Sequence, residues 1–332
     1  MKFTPTFLLT LLFGLAHTAQ AATWGGGTND WASDNWGLDT PDGYPGDGFY
    51  TAETAFITSG GVVNINLGDS IAVGSTAFVS NGIINQSGGT VSFDTRLDMR
   101  TQYNLTGGTL TDDGNTSWRV SAGGAYNISN GTWTSSSALI YQGDGSLNVS
   151  GGDITLGQIN MDDGTHTGST VLKTTGTGAG TLVATIMKLF PNAGGSAESQ
   201  FVFTGSGIDS WRSLGGPNSL ALSDGVNSGD LNVDMAAYTT SGTEGFVLFD
   251  YSSAPALGGT FGSISVSDSF GALSLGASAG SLAPGEYFLE YADGTIGDGS
   301  DIVLYANTIP EPSTLLLMGM SILAMCAFRR LR

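Results

Sequence analysis

One seven-residue phrase occurs four times in the middle of this chain, and a chain that repeats at a short fixed interval folds by stacking copies. The copies are Asn85 to Val91, Asn104 to Leu110, Asn127 to Trp133 and Asn148 to Ile154. Their common form is Asn-x-Ser/Thr-Gly/Asn-Gly-Thr/Asp-apolar. The second glycine falls at Gly89, Gly108, Gly131 and Gly152, so the intervals are 19, 23 and 21 residues. The run Val62-Val63-Asn64-Ile65-Asn66-Leu67 reads as an earlier, degenerate copy.

Each part of the phrase has a physical reading. Asn-x-Ser/Thr sends alternate side chains to opposite faces of a short strand. The glycines turn a corner, where positive φ is free of a Cβ clash. A Thr followed by an apolar residue then opens the next strand. About twenty residues suffice for three strands and three corners, each strand pairing with its copy at about 4.8 Å. On this reading the fold is all-β, a right-handed parallel β-helix (solenoid), and Asn85, Asn104, Asn127 and Asn148 stack as an amide ladder. Independent β-meanders with Gly turns are the alternative. The 52 glycines count against a helical body, since each weakens a helix interior by about 1 kcal/mol. The phrase also creates Asn-x-Ser/Thr triplets; the repeat itself accounts for the four, so glycosylation is not expected.

Both ends read as addresses. Residues 1–21 have a basic start at Lys2, an apolar stretch from Phe7 to Ala16 and the small residues Ala19 and Ala21 before a cleavage point, the form of a secretory signal peptide. At the other end, Pro310-Glu311-Pro312 precedes an apolar run from Leu315 to Phe328 and then Arg329 and Arg330. Fourteen helical residues reach about 21 Å, less than a hydrocarbon core of about 30 Å. This tripartite segment, 309–332, resembles the PEP-CTERM sorting signal. The resemblance implies recognition by an exosortase-type membrane peptidase after transit through the Sec export machinery. It also implies transient inner-membrane anchoring by the C-terminal helix, followed by residence at the cell surface or outside the cell. An ordinary tail anchor is the alternative. Two targeting helices would thus flank the β-body.

Between them lie three regions. Residues 22–60, with Trp24, Trp31 and Trp36, read as an N-terminal cap whose indoles cover the first coil, an open solenoid end being an exposed edge. The alternative for these indoles is an aromatic platform for sugar rings. Residues 61–174 hold the repeats. Residues 175–308 form a looser β-rich part, either continued solenoid or a sandwich. The Trp…Asn-Trp…Pro-Gly-Asp opening is similar to that of autotransporter-type and PEP-CTERM β-helix proteins. So are the later phrases Leu231-Asn232-Val233-Asp234 and Asp301-Ile302-Val303-Leu304.

The residue inventory limits the chemistry. Without its two ends the body has six basic residues (Arg96, Arg100, Arg119, Lys173, Lys188 and Arg212) against 28 acidic ones. Such a body does not bind a phosphate backbone, so no nucleic-acid partner is expected. It has no cysteine and one histidine, His166, in a polar stretch without a Gly-x-Ser-x-Gly elbow. No catalytic, cofactor or metal-binding residue is assigned. The enzymatic alternative is a polysaccharide hydrolase or lyase using Asp112-Asp113 or Asp162-Asp163 as acid and base. Against it, the Gly-His-Gly and Arg-x-Lys elements of polygalacturonase-like enzymes are absent, and Arg96, Arg100 and Arg119 look scattered among the repeats. Calcium is the one candidate cofactor, at Asp39, Asp42 and Asp47 or at Asp293, Asp298 and Asp301. The expectation is a structural or adhesive surface protein, associated with extracellular polysaccharide through a face of Thr, Ser and Asn.

Overall fold

Period-two alternation is the local rule from which the body is built. In Val62–Ile65, Val63 and Ile65 are buried while Val62 and Asn64 are half-exposed, and Ile83–Gln86 follows the same pattern. The computed structural model describes residues 21–309 apart from 34–35, 37–43, 46–53, 59, 75, 80, 113, 115, 162–167, 178–181, 192–193, 216–218, 252–256, 292–295 and 297–300. Apart from Ala21, the signal peptide and the sorting segment from Pro310 onward, with Glu311, Pro312, Arg329 and Arg330, lie outside the described residues. Among those residues no helix is long and apolar enough to cross a membrane.

The described body is all-β, with one large sheet that is mostly parallel. Its strands fall into three columns, in each of which a strand pairs with its counterpart in the next repeat. The first column registers Val63, Ile84, Tyr103, Tyr126, Leu147 and Leu172. The second registers Ile71, Val91, Leu110, Trp133, Ile154, Leu182, Trp211 and Phe249. The third registers Ala22, Ala55, Ala77, Leu97, Trp118, Leu139, Ile159, Met187 and Leu220. All of these side chains are buried and belong to one continuous apolar cluster. Parallel strands with inward apolar ladders therefore form the core, and each buried Leu, Ile or Phe contributes about 1.5–3 kcal/mol over its exposed state.

Glycine holds the corner between the first and second columns for two reasons. Gly108 and Gly152 have φ of 81° and 81°, in the left-handed region. A Cβ at Gly108 would also sit 2.3 Å from the Gly88 carbonyl oxygen, and one at Gly152 2.6 Å from that of Gly131. Gly123, at φ 83°, has the same backbone conformation with open space around it.

The parallel pairing continues past residue 174. Strands Ser169–Thr175, Ser196–Val202, Asp230–Asp234 and Ser263–Asp268 extend the first column. Antiparallel pairing, the kind that separate meanders need, appears among named described strands only near the end. There Asp301–Asn307 pairs with both Glu244–Tyr251 and Glu286–Tyr291, and Gly271–Ala272 folds back on Ser263–Asp268. At the other end Trp24, Trp31 and Trp36 are buried, with the Trp36 ring centroid 5.0 Å from that of Trp24 and 4.7 Å from that of Trp31. Trp31 Nε1 donates to the Pro45 carbonyl at 2.9 Å, and Trp36 Nε1 to that of Trp31 at 2.7 Å. These indoles present no open face on which a sugar ring could stack.

Three buried phenols give the core a pH limit. Tyr103 donates to Gln86 Oε1 at 2.6 Å, Tyr126 to the Arg119 carbonyl at 3.3 Å and Tyr141 to that of Val171 at 3.4 Å. Burial raises the pKa of all three above the ordinary value of 10.0. The unfolded chain therefore loses these protons first, so their contribution is complete below about pH 10 and is lost as pH rises beyond it. In an alkaline titration we expect phenolate absorbance from these three tyrosines to appear only with unfolding. Stepwise ionisation at the ordinary pKa in a folded protein would contradict the buried assignment.

Candidate functional site

The outward side of the first column carries an unbroken polar file. Backbone register places Asp30, Asn64, Asn85, Asn104, Asn127 and Asn148 one above another. Lys173, Gln200, Asn232 and Ser265 continue the same file. The amides are linked. Asn85 Nδ2 donates to Asn64 Oδ1 at 3.3 Å, and each of Asn104, Asn127 and Asn148 donates to the preceding asparagine at 2.8 Å. A primary amide has two N–H donors and two acceptor lone pairs, so one link in each direction leaves Asn104 and Asn127 one donor and one lone pair for a ligand. Asn148 spends its second donor on Ser146 Oγ at 3.2 Å.

A groove of about 470 Å³ runs along this file, lined by Asn104, Asn127 and Asn148, with Thr106, Ser150 and Lys173 at its sides and end. A second hollow, of about 280 Å³, begins at Lys173 and passes Gln200, Asn232 and Asp234. Together they follow one face of mostly neutral donors and acceptors, with Lys173 shared by both hollows and Asp234 lining the second. Further along, Asn232 Nδ2 donates to Glu198 Oε1 at 2.9 Å and Ser263 Oγ to Asp230 Oδ1 at 2.6 Å. Such a surface suits an uncharged, hydroxyl-rich chain lying along it.

Residues 308–331 match the family model for the PEP-CTERM protein-sorting motif. The chain carries a C-terminal exosortase sorting motif. That motif implies export, processing by exosortase, a membrane peptidase, and sorting to the cell surface. Comparison with curated proteins and with solved structures found no match.

Other candidate residues are placed as follows. The four ladder asparagines meet in one file, and Asn64 of the degenerate copy joins them. Ala21 opens the first strand of the third column, so cleavage after it would leave the buried Ala22 as the first residue. Asp112 Oδ2 accepts from Trp118 Nε1 at 3.2 Å and from Ser135 Oγ, and Oδ1 accepts from the Gly114 amide at 3.2 Å. Asp113, Asp162, Asp163 and His166 lie outside the described residues, as do Asp39, Asp42, Asp47, Asp293 and Asp298. Asp301 is described and buried. Among the described residues no group of three or more His, Cys, Asp or Glu side chains forms a metal cluster.

The arginines correct the sequence reading. Arg96 and Arg119 look scattered along the chain, yet the third column sets their strands side by side, with Asp98 opposite Arg119. The register offset between the two strands is 21 residues, one of the intervals seen between the glycines, so it sets Ser117 opposite Arg96 and Arg119 two positions further on.

The ladder makes a sharp prediction. Asn127→Ala removes both the link to Asn104 and the link from Asn148, and should cost about 2–3 kcal/mol at two half-buried amides. Thr134→Ala, on the exposed side of the second column, should stay within about 0.5 kcal/mol. Urea unfolding midpoints measure both; equal effects would mean that the ladder is ornamental.

Proposed function

We propose that the three columns close into a right-handed parallel β-helix, and that the protein is a non-catalytic surface component. In this reading export through the Sec machinery and exosortase processing deliver a rigid rod to the cell exterior, where its first-column face associates with extracellular polysaccharide. Three lines of observation support this. The sorting motif directs the chain outward. The parallel register repeats over most of the described length, which makes a stiff, extended scaffold. The polar file on the first column, from Asp30 to Ser265, is the observation that carries the ligand reading.

Energetics favour a many-contact, low-specificity mode. Each amide or hydroxyl contact exchanges one hydrogen bond with water for another and contributes about 0.5–1.5 kcal/mol at most. A useful affinity would come from repetition along the trough, because linked contacts add avidity. Lys173 and the acidic residues beyond it would set polarity along the bound chain.

The exported protein should bind a neutral polysaccharide without releasing reducing ends or unsaturated products. Ser150→Trp, which sets an indole at the side of the first groove, should lower that affinity about tenfold while leaving the unfolding temperature unchanged. Turnover abolished by Asp112→Asn or Asp162→Asn would overturn the non-catalytic reading in favour of a polysaccharide hydrolase or lyase.

A further inference from the structure

The body has only six basic residues, so the place where they gather is informative. Half of them meet on the outward side of the third column. The strand Arg96–Met99 lies beside Ser117–Ser121, with Arg96 opposite Ser117 and Asp98 opposite Arg119, and Arg100 follows at the next outward position. Asp98 is 4% exposed. Its Oδ2 lies 3.8 Å from Arg96 and 3.9 Å from Arg100, and its Oδ1 accepts from Ser121 Oγ at 3.3 Å. Asp98 thus contacts two guanidinium groups, and a third arginine, Arg119, stands opposite it in the register.

Charge pairing alone does not account for this arrangement. Two arginines already contact Asp98, and both contacts are longer than the 2.7–2.9 Å of a close charge-assisted hydrogen bond. The Nε groups of Arg96 and Arg119 are shielded from solvent and have no hydrogen-bond partner among the described residues. Buried donors are nearly always paired, and an unpaired one costs stability. Yet the Arg96 and Arg100 side chains remain 35% and 44% exposed, so a ligand can reach them. Two hollows flank Arg100. One, of about 420 Å³, passes Asn81 and Thr101; the other, of about 510 Å³, passes Ser121 and Gln142. Asp144 lines the second, its carboxylate held by the Ser169 amide at 2.6 Å.

We propose that Arg96, Arg100 and Arg119 form an oxyanion-binding site for the carboxylate or sulfate groups of an acidic extracellular polymer. Guanidinium offers a planar fork of donors that matches such groups. A body carrying 28 acidic residues repels polyanions in general, so capture requires a local concentration of positive charge. The site lies on a different column from the polar trough and stands whether or not the trough binds a neutral glycan.

The test titrates the exported protein with a polyuronate, a sulfated polysaccharide, a neutral dextran and free sulfate. The proposal expects at least one charged polymer to bind, more weakly as salt is added, with dextran unaffected by changes at the arginines. Arg119→Gln, which leaves both contacts to Asp98 in place, should weaken that binding about tenfold without lowering the unfolding temperature. Arg96→Gln should do the same, whereas Lys188→Gln, also on the third column, and Ser150→Trp should change it less than about twofold. Should Arg96→Gln fail to fold, Arg119→Gln decides. Failure of both charged polymers to bind, binding of free sulfate alone, or equal losses in the Lys188 and arginine variants would overturn the site. Loss of dextran binding in Ser150→Trp with the charged polymer still held separates this site from the trough.

Discussion

Parallel register between consecutive repeats is the constraint on which everything else in this protein depends. Side chains alternate strictly along a strand, so a slip of one position would turn Tyr103 and Leu105 outward and Asn104 into the core. The inward ladders of three columns resist that slip through hydrophobic burial. The asparagine file resists it differently, because its amides link only when the rungs align. Apolar packing and amide pairing thus specify the same register from opposite faces of one strand, which is the internal consistency expected of a foldable sequence.

The central repeats were legible in the sequence because their corners are tight. Where Gly108 and Gly152 must adopt positive φ against a neighbouring backbone, no other residue fits, and the motif stays visible. Beyond Asn148 the file positions are Lys173, Gln200, Asn232 and Ser265, separated by 25, 27, 32 and 33 residues in turn. The connections there are longer, so the tight glycine corner gives way and the interval drifts. The outward position needs only a polar side chain, and its identity drifts with it. The register persisted although the spelling did not. The three tryptophans stood out by composition, but their burial, which closes them to sugars, is seen only in the packing of Trp36 against both of the others.

Two polar surfaces emerge from one scaffold, and they differ in kind. The first column spends much of its hydrogen-bonding capacity on itself and presents a remainder that is neutral and repetitive. The third column brings Arg96 and Arg100 onto Asp98 and sets Arg119 opposite it, a juxtaposition invisible until the two strands are placed in register. A mostly parallel sheet that arrays different polar groups on separate columns suits an exported protein whose body is otherwise acidic. Near its end Asp301–Asn307 pairs antiparallel with both Glu244–Tyr251 and Glu286–Tyr291, a departure from the parallel pairing that precedes it.

Cysteine pairs test the register most directly, in a chain with Cys326→Ser so that no native thiol competes. Gln102, Ala125 and Ser146 occupy one outward file of the first column, on consecutive repeats. Neighbours in a parallel sheet lie about 4.8 Å apart, within reach of a disulfide, whereas alternate rungs lie about 9.6 Å apart and beyond it. Oxidation should therefore close Gln102→Cys with Ala125→Cys, and Ala125→Cys with Ser146→Cys, while leaving Gln102→Cys with Ser146→Cys open. Closure of the third pair, or failure of the first two in a folded protein, would contradict the stacked arrangement.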